Sequence, residues 1–250
     1  MCYDISFNVS IEFVTDYLPD IIVDPQISIE YETVLHLEAQ VNLPFPVIVA
    51  YEGKRHLTPF IWGVSARGEN MPSVWNAQSE RILKDKHSYW YKIRHNRCLI
   101  PLTGIFEHRE VKGWKKKVPY HVWLKGRKMF CVPGLYDAPN RHSNGLYTFT
   151  LITREANSLM RLIHNAGNDA FRMPLFLTKE LELLWLKEDL TEAEMQTIFD
   201  YEFPAEKIEY DTVYTIRTNK PRPDGKGKLE HYTWEGLPPL GRDTNVLELF

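Results

Sequence analysis

The segment CLIPLTGIF at residues 98–106 decides the fold class. It is a short apolar run rich in β-branched and aromatic residues, which is typical of a buried strand. Similar runs recur on both sides of it, including VIVAY at 47–51, MFCVPGLY at 129–136 and LYTFTLI at 146–152. Glycine-containing turn dipeptides separate many of these runs, at 52–53, 112–113, 125–126 and 144–145. The pattern predicts a mostly antiparallel sheet or a barrel-like β core.

Helical periodicity is confined to a few segments. Apolar residues at i, i+3, i+4 and i+7 predict a helix over 154–163, with Thr153 as its N-cap. Thr191 and Glu194 have the spacing of a capping box in front of Met195–Phe199. Together these features predict a single α+β domain over residues 1–250, with a few peripheral helices. The Pro- and Gly-rich stretch 218–250 is expected to wrap around that domain as a long loop.

Charge is distributed unevenly along the chain. The formal net charge of −3 argues against general affinity for polyanions. Residues 1–53, however, contain nine acids and no Lys or Arg, whereas residues 81–128 contain fourteen Lys and Arg against three acids. The basic segment 81–128 is either a surface that contacts phosphates or a set of solvated loop tips.

Cysteine usage points to a reducing compartment. Cys2, Cys98 and Cys131 are too few and too scattered for a disulfide framework, and no CxxC pair indicates a zinc site. Cys98 and Cys131 lie in apolar strand runs and are predicted to be core residues. Neither a signal peptide nor a membrane span is evident, so we expect a cytoplasmic protein.

Cys2 has chemistry that no internal cysteine shares, provided that Met1 is removed. A small second residue favours this removal, which leaves an α-amine and a thiol on adjacent carbons. The amine has an ordinary pKa of about 8, so part of it is neutral and nucleophilic at pH 7. It can form an imine with an aldehyde, and the thiol can then close a five-membered thiazolidine. The alternative is that residue 2 is an ordinary early position.

Three further polar residues are candidates for a site. Asn76, within WNAQSE at 75–80, is either a loop cap or an amide that positions a reacting group. Glu107 ends the strand run, and if it points inward its burial would raise its pKa towards neutrality. His164 ends the amphipathic helix, where it either complements the helix dipole or transfers protons near pH 7.

The order of these motifs is more specific than any one of them. The chain runs Met-Cys, Asn-Ala-x-x-Glu, Arg-Cys-Leu-Ile-Pro-x-x-Gly-x-x-Glu, Thr-x-x-Ala-Asn and finally Ile-His…Arg-Met-Pro. This series, over about residues 2–177, resembles the SOS response-associated peptidase family. The block at 97–107 is its most specific part.

The resemblance implies a DNA-damage activity. In that family the initiator Met is removed, and the cysteine captures the deoxyribose aldehyde of an abasic site in single-stranded DNA as a thiazolidine crosslink. Carried over, Cys2 is the nucleophile, Asn76 holds its terminus, Glu107 moves protons, and His164 assists ring opening and crosslink release. No metal or cofactor is required. The expected partner is single-stranded DNA with abasic sites, bound by a monomer near the nucleoid.

The same resemblance implies a basic groove with aromatic platforms for the strand. The candidate contacts are Arg81, Arg94, Arg97 and Arg172, and Trp62 and Trp75 are either stacking platforms or core residues. The chain also departs from the family pattern, at Asp4, Gln78, the loop 64–71, His108 and the insertion-like stretch Asn165–Phe171. We therefore expect weaker DNA binding than in a typical member, or a groove that uses the basic segment 81–128.

Two other functions stay open at this point. Cys2, His164 and a carboxylate could form the nucleophile, base and orienting group of a thiol peptidase. The chain could also be a single-stranded DNA-binding protein without covalent chemistry. A scaffold of no assignable role is the third reading, which the ordered motifs disfavour.

Overall fold

Strands dominate a computed structural model that describes residues 2–30, 33–68, 70–218 and 220–242, with the side chains of 28–30 excepted. The strands are β1 (Asp4–Phe7), β2 (Ile21–Val23), β3 (Val34–Glu38), β4 (Pro44–Tyr51), β5 (Lys54–Trp62), β6 (Asn76–Gln78), β7 (Arg97–Leu102), β8 (Gly104–Arg109), β9 (Val118–Leu124), β10 (Phe130–Asp137), β11 (Thr148–Glu155), β12 (Arg172–Pro174) and β13 (Ile208–Thr212). The helices are α1 (Ile11–Tyr17), α2 (Pro25–Glu30), α3 (Ser79–Ile82), α4 (Tyr89–Lys92), α5 (Ser158–Ile163), α6 (Lys179–Trp185) and α7 (Glu192–Asp200).

The strands form two mostly antiparallel sheets. The first has the order β13-β9-β8-β1-β3, so β1 lies inside the sheet between β8 and β3. The second has the order β12-β11-β10-β7-β4-β5-β2, and β5 also pairs with β11 in parallel, which closes five of its strands into a ring. β6 pairs in parallel with β11. The predicted α+β class with a barrel-like β core is confirmed.

The segment at 98–106 crosses from one sheet to the other. β7 ends at Leu102 and β8 begins at Gly104, so the apolar run contributes to both sheets. A Cβ atom on Gly104 would lie 2.2 Å from His121 Nε2, which only a glycine avoids. The imidazole of His121 in turn lies 3.0 Å from the hydroxyl of Ser6 on β1. The chain therefore passes from β7 in the second sheet directly to β8 in the first, where β8 pairs with β1.

Helix boundaries differ from one of the two predictions. The capping box of Thr191 and Glu194 is present at the start of α7. Thr153 as an N-cap is wrong, because β11 continues to Glu155 and α5 begins only after Asn157, whose side chain accepts from Met160 N. Edge pairing of β11 with β12 keeps residues 153–155 extended, against their helical periodicity.

The apolar runs form one large core between the sheets and the helices. Cys98 and Cys131 are fully buried in it and are free thiols, as predicted. Among the described residues, no helix is both long and apolar enough to cross a bilayer.

The C-terminal stretch lies along the first sheet and α5. Tyr232 N donates to Thr212 O at 2.8 Å, Arg109 Nη2 donates to Pro239 O at 2.9 Å, and Gly241 lies beside Leu162. Residues 243–250 of the predicted tail lie outside the described residues.

Candidate active site

Cys2 lies two residues before the first residue of the internal strand β1 and has no solvent exposure. Its carbonyl oxygen accepts a hydrogen bond from Asn76 Nδ2 at 2.8 Å, and its thiol points to Asp4 O at 3.6 Å. Burial, followed by the charges of Glu107 and Asp4, raises the pKa of the Cys2 thiol well above its ordinary value. Met1 lies outside the described residues, so its predicted removal stays a prediction.

Asn76 owes its position to β6, which pairs in parallel with β11 so that Asn76 lies opposite Leu151. The side chain is buried, and its amide nitrogen is used by Cys2. Its oxygen Oδ1 is buried with no hydrogen-bond partner among the described residues. One half of the amide thus fixes the N-terminal segment, and the other half is available for a ligand.

Glu107 lies on β8, the neighbour of β1, and is 3% exposed. Burial raises its pKa to about 8, so the carboxyl group is mainly protonated at neutral pH. Its oxygen Oε1 is buried without a hydrogen-bond partner in the described part of the chain. A protonated, unsatisfied acid beside Cys2 is suited to donating a proton to a substrate oxygen.

His164 follows α5 and faces Glu107, with 3.8 Å between His164 Nε2 and Glu107 Oε2. Its Nδ1 lies 2.9 Å from the carbonyl oxygen of Arg172, so Nδ1 carries the hydrogen and Nε2 is the unprotonated nitrogen of the neutral ring. Burial lowers the pKa of His164 to about 4. At pH 7 both groups are therefore mainly neutral, and the pair is an acid facing a base rather than a salt bridge.

A cavity of about 320 Å³ lies beside Glu107 and His164, which both line it, whereas Cys2 and Asn76 do not. Its other lining residues include Tyr3, Lys117, Asp169 and Arg217. Loop 165–171, the insertion-like stretch, forms one wall. The side chain of Asn165 fixes that loop by accepting from Glu110 N at 2.8 Å and donating to Glu110 O at 2.9 Å.

Asp4, the first departure from the family pattern, has partners that the sequence did not reveal. Its buried carboxylate accepts from Arg217 Nε at 2.9 Å and Nη2 at 2.7 Å, and lies 2.7 Å from His36 Nε2. Burial alone would raise the pKa of Asp4, but hydrogen bonds from His36 and Arg217 outweigh it and hold that pKa below its ordinary value. An acid in an internal strand needs a cationic partner, and this requirement alone could have indicated from the sequence that Asp4 has one.

Three of the predicted DNA-contacting arginines are engaged within the protein. Arg172 forms a bidentate ion pair with Glu80, with both distances 2.9 Å. Arg94 pairs with Glu192 at 2.9 Å. Arg97 is 7% exposed and donates to the carbonyl of Trp185 at 3.0 Å and to those of residues 187 and 188.

The remaining predicted contacts, Arg81, Trp75 and Trp62, have different surroundings. Exposed Arg81 lines a second cavity of about 400 Å³ together with Asn76, Trp90 and Asp169. Asp169 lines both cavities, so the two are adjacent. Trp75 is half-buried and lies edge-to-face with Tyr3 at 5.7 Å. Trp62 is 1% exposed, and its indole nitrogen donates to the carbonyl of residue 75, so it is a core residue and its prediction as a stacking platform is wrong.

The structure thus brings Cys2, Asn76, Glu107 and His164 together from four distant parts of the chain. Arg81, Trp75 and Arg172 lie close to this cluster. Arg94 and Arg97 bind to the region of α6 and α7 instead.

The chain is similar to proteins of one family. Residues 22–219 match the family model described as SOS response associated peptidase (SRAP), a range that begins after Cys2. Abasic site processing protein YoqW of Bacillus subtilis is 31% identical over 158 residues, which cover 63% of this chain and 66% of that protein. The match therefore spans just under two thirds of that relative's length.

A yeast relative and a solved structure extend the similarity. Abasic site processing protein YMR114C of Saccharomyces cerevisiae is 27% identical over 193 residues, or 77% of this chain and 44% of that protein. The X-ray crystal structure of a protein from Bacteroides thetaiotaomicron superimposes with a TM-score of 0.70 at 27% identity, covering 85% of this chain and 92% of that one.

Proposed function

The chain belongs to the SOS response associated peptidase family, and from that membership we propose that it processes abasic sites in single-stranded DNA by forming a covalent crosslink through Cys2. The names of the relatives from Bacillus and yeast support the substrate class. The observation that carries the proposal is that Cys2, held by Asn76, lies close enough to Glu107 to feel its charge, while Glu107 faces His164 at a cavity.

The chemistry begins once Met1 is removed. The α-amine of Cys2 attacks the aldehyde carbon of the ring-opened deoxyribose and gives a carbinolamine, which loses water to form an imine. The thiol then adds to the imine carbon, and the proton of the thiol passes to the nitrogen. The product is a thiazolidine, and the sum is one aldehyde and one cysteine converted to one ring and one water. No electrons are gained or lost.

The neighbouring side chains divide the work in this scheme. Asn76 holds the carbonyl of Cys2, which fixes the direction of the amine. Protonated Glu107 donates a proton to the departing hydroxyl, which its raised pKa permits at neutral pH. The lone pair on His164 Nε2 accepts a proton from the sugar hydroxyl during ring opening, since the low pKa of this group keeps it neutral.

The DNA strand crosses the two adjacent cavities in this proposal. Arg81 lines one cavity and Lys117 the other, and Trp90 in the first and Trp75 beside Tyr3 offer aromatic surfaces. An abasic residue has no base, so it enters a cavity of about 320 Å³ with little unstacking. We expect the protein to act as a monomer at the nucleoid in the cytoplasm.

Denaturing electrophoresis with a single-stranded oligonucleotide that carries one abasic site tests the proposal. The wild-type protein should give a slow-migrating adduct, and its intact mass should show loss of Met1. Cys2→Ser is the matched variant, because a serine terminus keeps the amine but closes a far less stable ring. Its adduct should survive only after reduction with borohydride, which traps the imine.

A stable adduct from Cys2→Ala without reduction would contradict the crosslink chemistry. Cleavage of test peptides, dependent on Cys2 and without any DNA adduct, would support the peptidase alternative instead. Tight binding of undamaged single strands with no adduct would leave a DNA-binding protein without covalent chemistry.

A further inference from the structure

A third cavity, of about 590 Å³, lies away from Cys2. It is formed by the end of α1, the turn between β9 and β10, the start of α6 and the segment after α7. Tyr120 on β9 pairs with Glu107, and Lys125 follows five residues later at the opposite end of the strand. At about 3.4 Å per residue, this separates the cavity from the acid by roughly 17 Å.

Four cations surround this cavity: Lys125, Arg127, Lys179 and Lys207. Arg127 is paired with the buried carboxylate of Glu182 at 2.5 Å. The three lysines form no ion pair with any residue that the structure describes. Lys125 N donates to Lys207 O at 2.9 Å, which keeps these two residues side by side. None of the residues that line the cavity is an acid, although exposed Glu180, Glu202 and Glu206 adjoin lining residues in the chain, so the lining itself is positive.

Arg127 and Tyr17 form a rigid base for the cavity. The guanidinium of Arg127 donates to Leu177 O at 2.9 Å and to the hydroxyl of Tyr17. The same hydroxyl donates to Glu182 Oε2 at 2.8 Å. Because Glu182 is 1% exposed, this network is fixed from inside the protein rather than by solvent contacts.

Aromatic rings line the interior. Tyr17, Tyr201 and Phe203 contribute to the wall, and Tyr201 and Phe203 lie edge-to-face at 6.4 Å. Lys179 Nζ lies 4.3 Å from the centre of the Tyr17 ring. A ligand that fits has a planar apolar body for the rings and a negative group for the lysines.

We propose that this cavity binds a nucleotide, with its phosphate at Lys125, Lys179 and Lys207 and its base against Tyr17 and Tyr201. The volume is within the range of small-molecule sites, and aromatic side chains stack on any base. The nucleotide is either free in solution or part of a strand whose abasic residue lies at Cys2. The second source rests on the proposed function, and the first does not.

The test uses undamaged probes, so it does not depend on crosslinking. They are thymidine monophosphate and fluorescein-labelled oligothymidylates of about 5 and about 20 nucleotides. The cavity variant is Lys125→Glu with Lys207→Glu. The matched control is Lys54→Glu with Lys226→Glu, two exposed lysines outside this cavity with the same change in net charge. Thermal unfolding checks that both double variants fold as the wild type does.

If a strand occupies the cavity, the 20-nucleotide probe should bind the cavity variant at least about tenfold more weakly than the control. The slope of log affinity against log salt should fall by about 1.4, or 0.7 for each lost phosphate contact. If a free nucleotide occupies it, thymidine monophosphate should bind the wild type and the control but not the cavity variant. Equal behaviour of the two double variants with every probe would overturn the proposal.

Crosslinking to a short abasic oligonucleotide separates this inference from the proposed function. The cavity variant should crosslink an abasic 5-nucleotide probe at the wild-type rate. Failure of all variants to crosslink, together with a loss of probe binding confined to the cavity variant, would reject the proposed function and retain the nucleotide site.

Discussion

The cluster around Cys2 and the predicted DNA-contacting arginines differ in how well their polar groups are satisfied by hydrogen bonds within the protein. In the cluster, Glu107 and Asn76 each keep one buried oxygen without a partner among the described residues. Arg94 and Arg97, by contrast, donate to a carboxylate and to carbonyls of the same chain. Unsatisfied buried groups are costly to folding and point to a ligand, whereas satisfied ones point to architecture.

The difference shows where a motif is informative. An acid or imidazole whose pKa is displaced by burial is a specific indication of proton transfer at a functional site. A guanidinium binds phosphates and internal carbonyls equally well, so an arginine in a motif does not by itself indicate DNA contact. The following variants test that distinction.

Glu107→Gln should have the largest effect, lowering the rate of crosslinking by about 10²–10⁴-fold, as expected for loss of a positioned proton donor. The wild-type rate should fall above about pH 8, where Glu107 ionises. Its raised pKa also makes proton binding stabilise the fold. This contribution is complete below the ordinary pKa of about 4.3 and is lost as the pH rises to about 8. Chemical denaturation between pH 5 and 9 should show this loss in the wild type but not in the variant.

Glu110→Gln is the control for that experiment, because Glu110 is exposed next to the same strand. It should keep the wild-type rate and pH dependence. A wild-type rate that is flat from pH 6 to 9.5, or an active Glu107→Gln, would remove the acid from the mechanism.

Arg97→Met should destabilise the protein without weakening DNA binding specifically. It leaves several carbonyls near the end of α6 without their donor, which should lower the free energy of unfolding by about 3 kcal/mol. Arg81→Met is the matched control, because Arg81 is exposed. Its stability should change by less than about 0.5 kcal/mol, and the salt dependence of DNA binding should fall by about 0.7. The reverse pattern would make Arg97 the phosphate ligand.

Asp4→Asn and Arg217→Gln should have the smallest effects on crosslinking, and they should shift its pH dependence in opposite directions. Both variants break the same ion pair, so both should lose similar stability. After burial, the charge of Asp4 raises the pKa of Glu107 and the charge of Arg217 lowers it. The midpoint of the pH–rate profile should therefore fall in Asp4→Asn and rise in Arg217→Gln, by up to about one unit each. If the midpoint shifted in the same direction in both variants, the ion pair of Asp4 and Arg217 would have only a structural role.

Much of the fold and of the candidate cluster was accessible from the sequence. Alternating apolar runs and turns predict the β class, since burial on a sheet requires that pattern. The crossing between the sheets at Thr103 could not be predicted, because an apolar run has the same pattern whether it belongs to one sheet or to two. Asn76, Glu107 and His164 were found through motif order, whereas their distances depend on pairings such as β6 with β11.

The remaining features arise from long-range pairing. Arg217 has no local signal, since its partner Asp4 is 213 positions away. The local sequence at Thr153 favours a helix N-cap, but the pairing of β11 with β12 keeps the residue in a strand. The lysines of the third cavity come from three separate segments, and the run of charge at 81–128 does not predict that they meet.

The internal position of β1 has a consequence for biosynthesis. Cys2 leaves the ribosome before the other residues of its cluster, yet Asp4 pairs with Glu38 and Phe106 and is bound by Arg217. The nascent chain therefore carries the thiol long before Glu107, His164 and the last of these partners have been translated. The candidate cluster can be completed only when synthesis has passed residue 164, and the ion pair that anchors Asp4 only after residue 217, so a ribosome that stalls before residue 164 releases a product without the cluster.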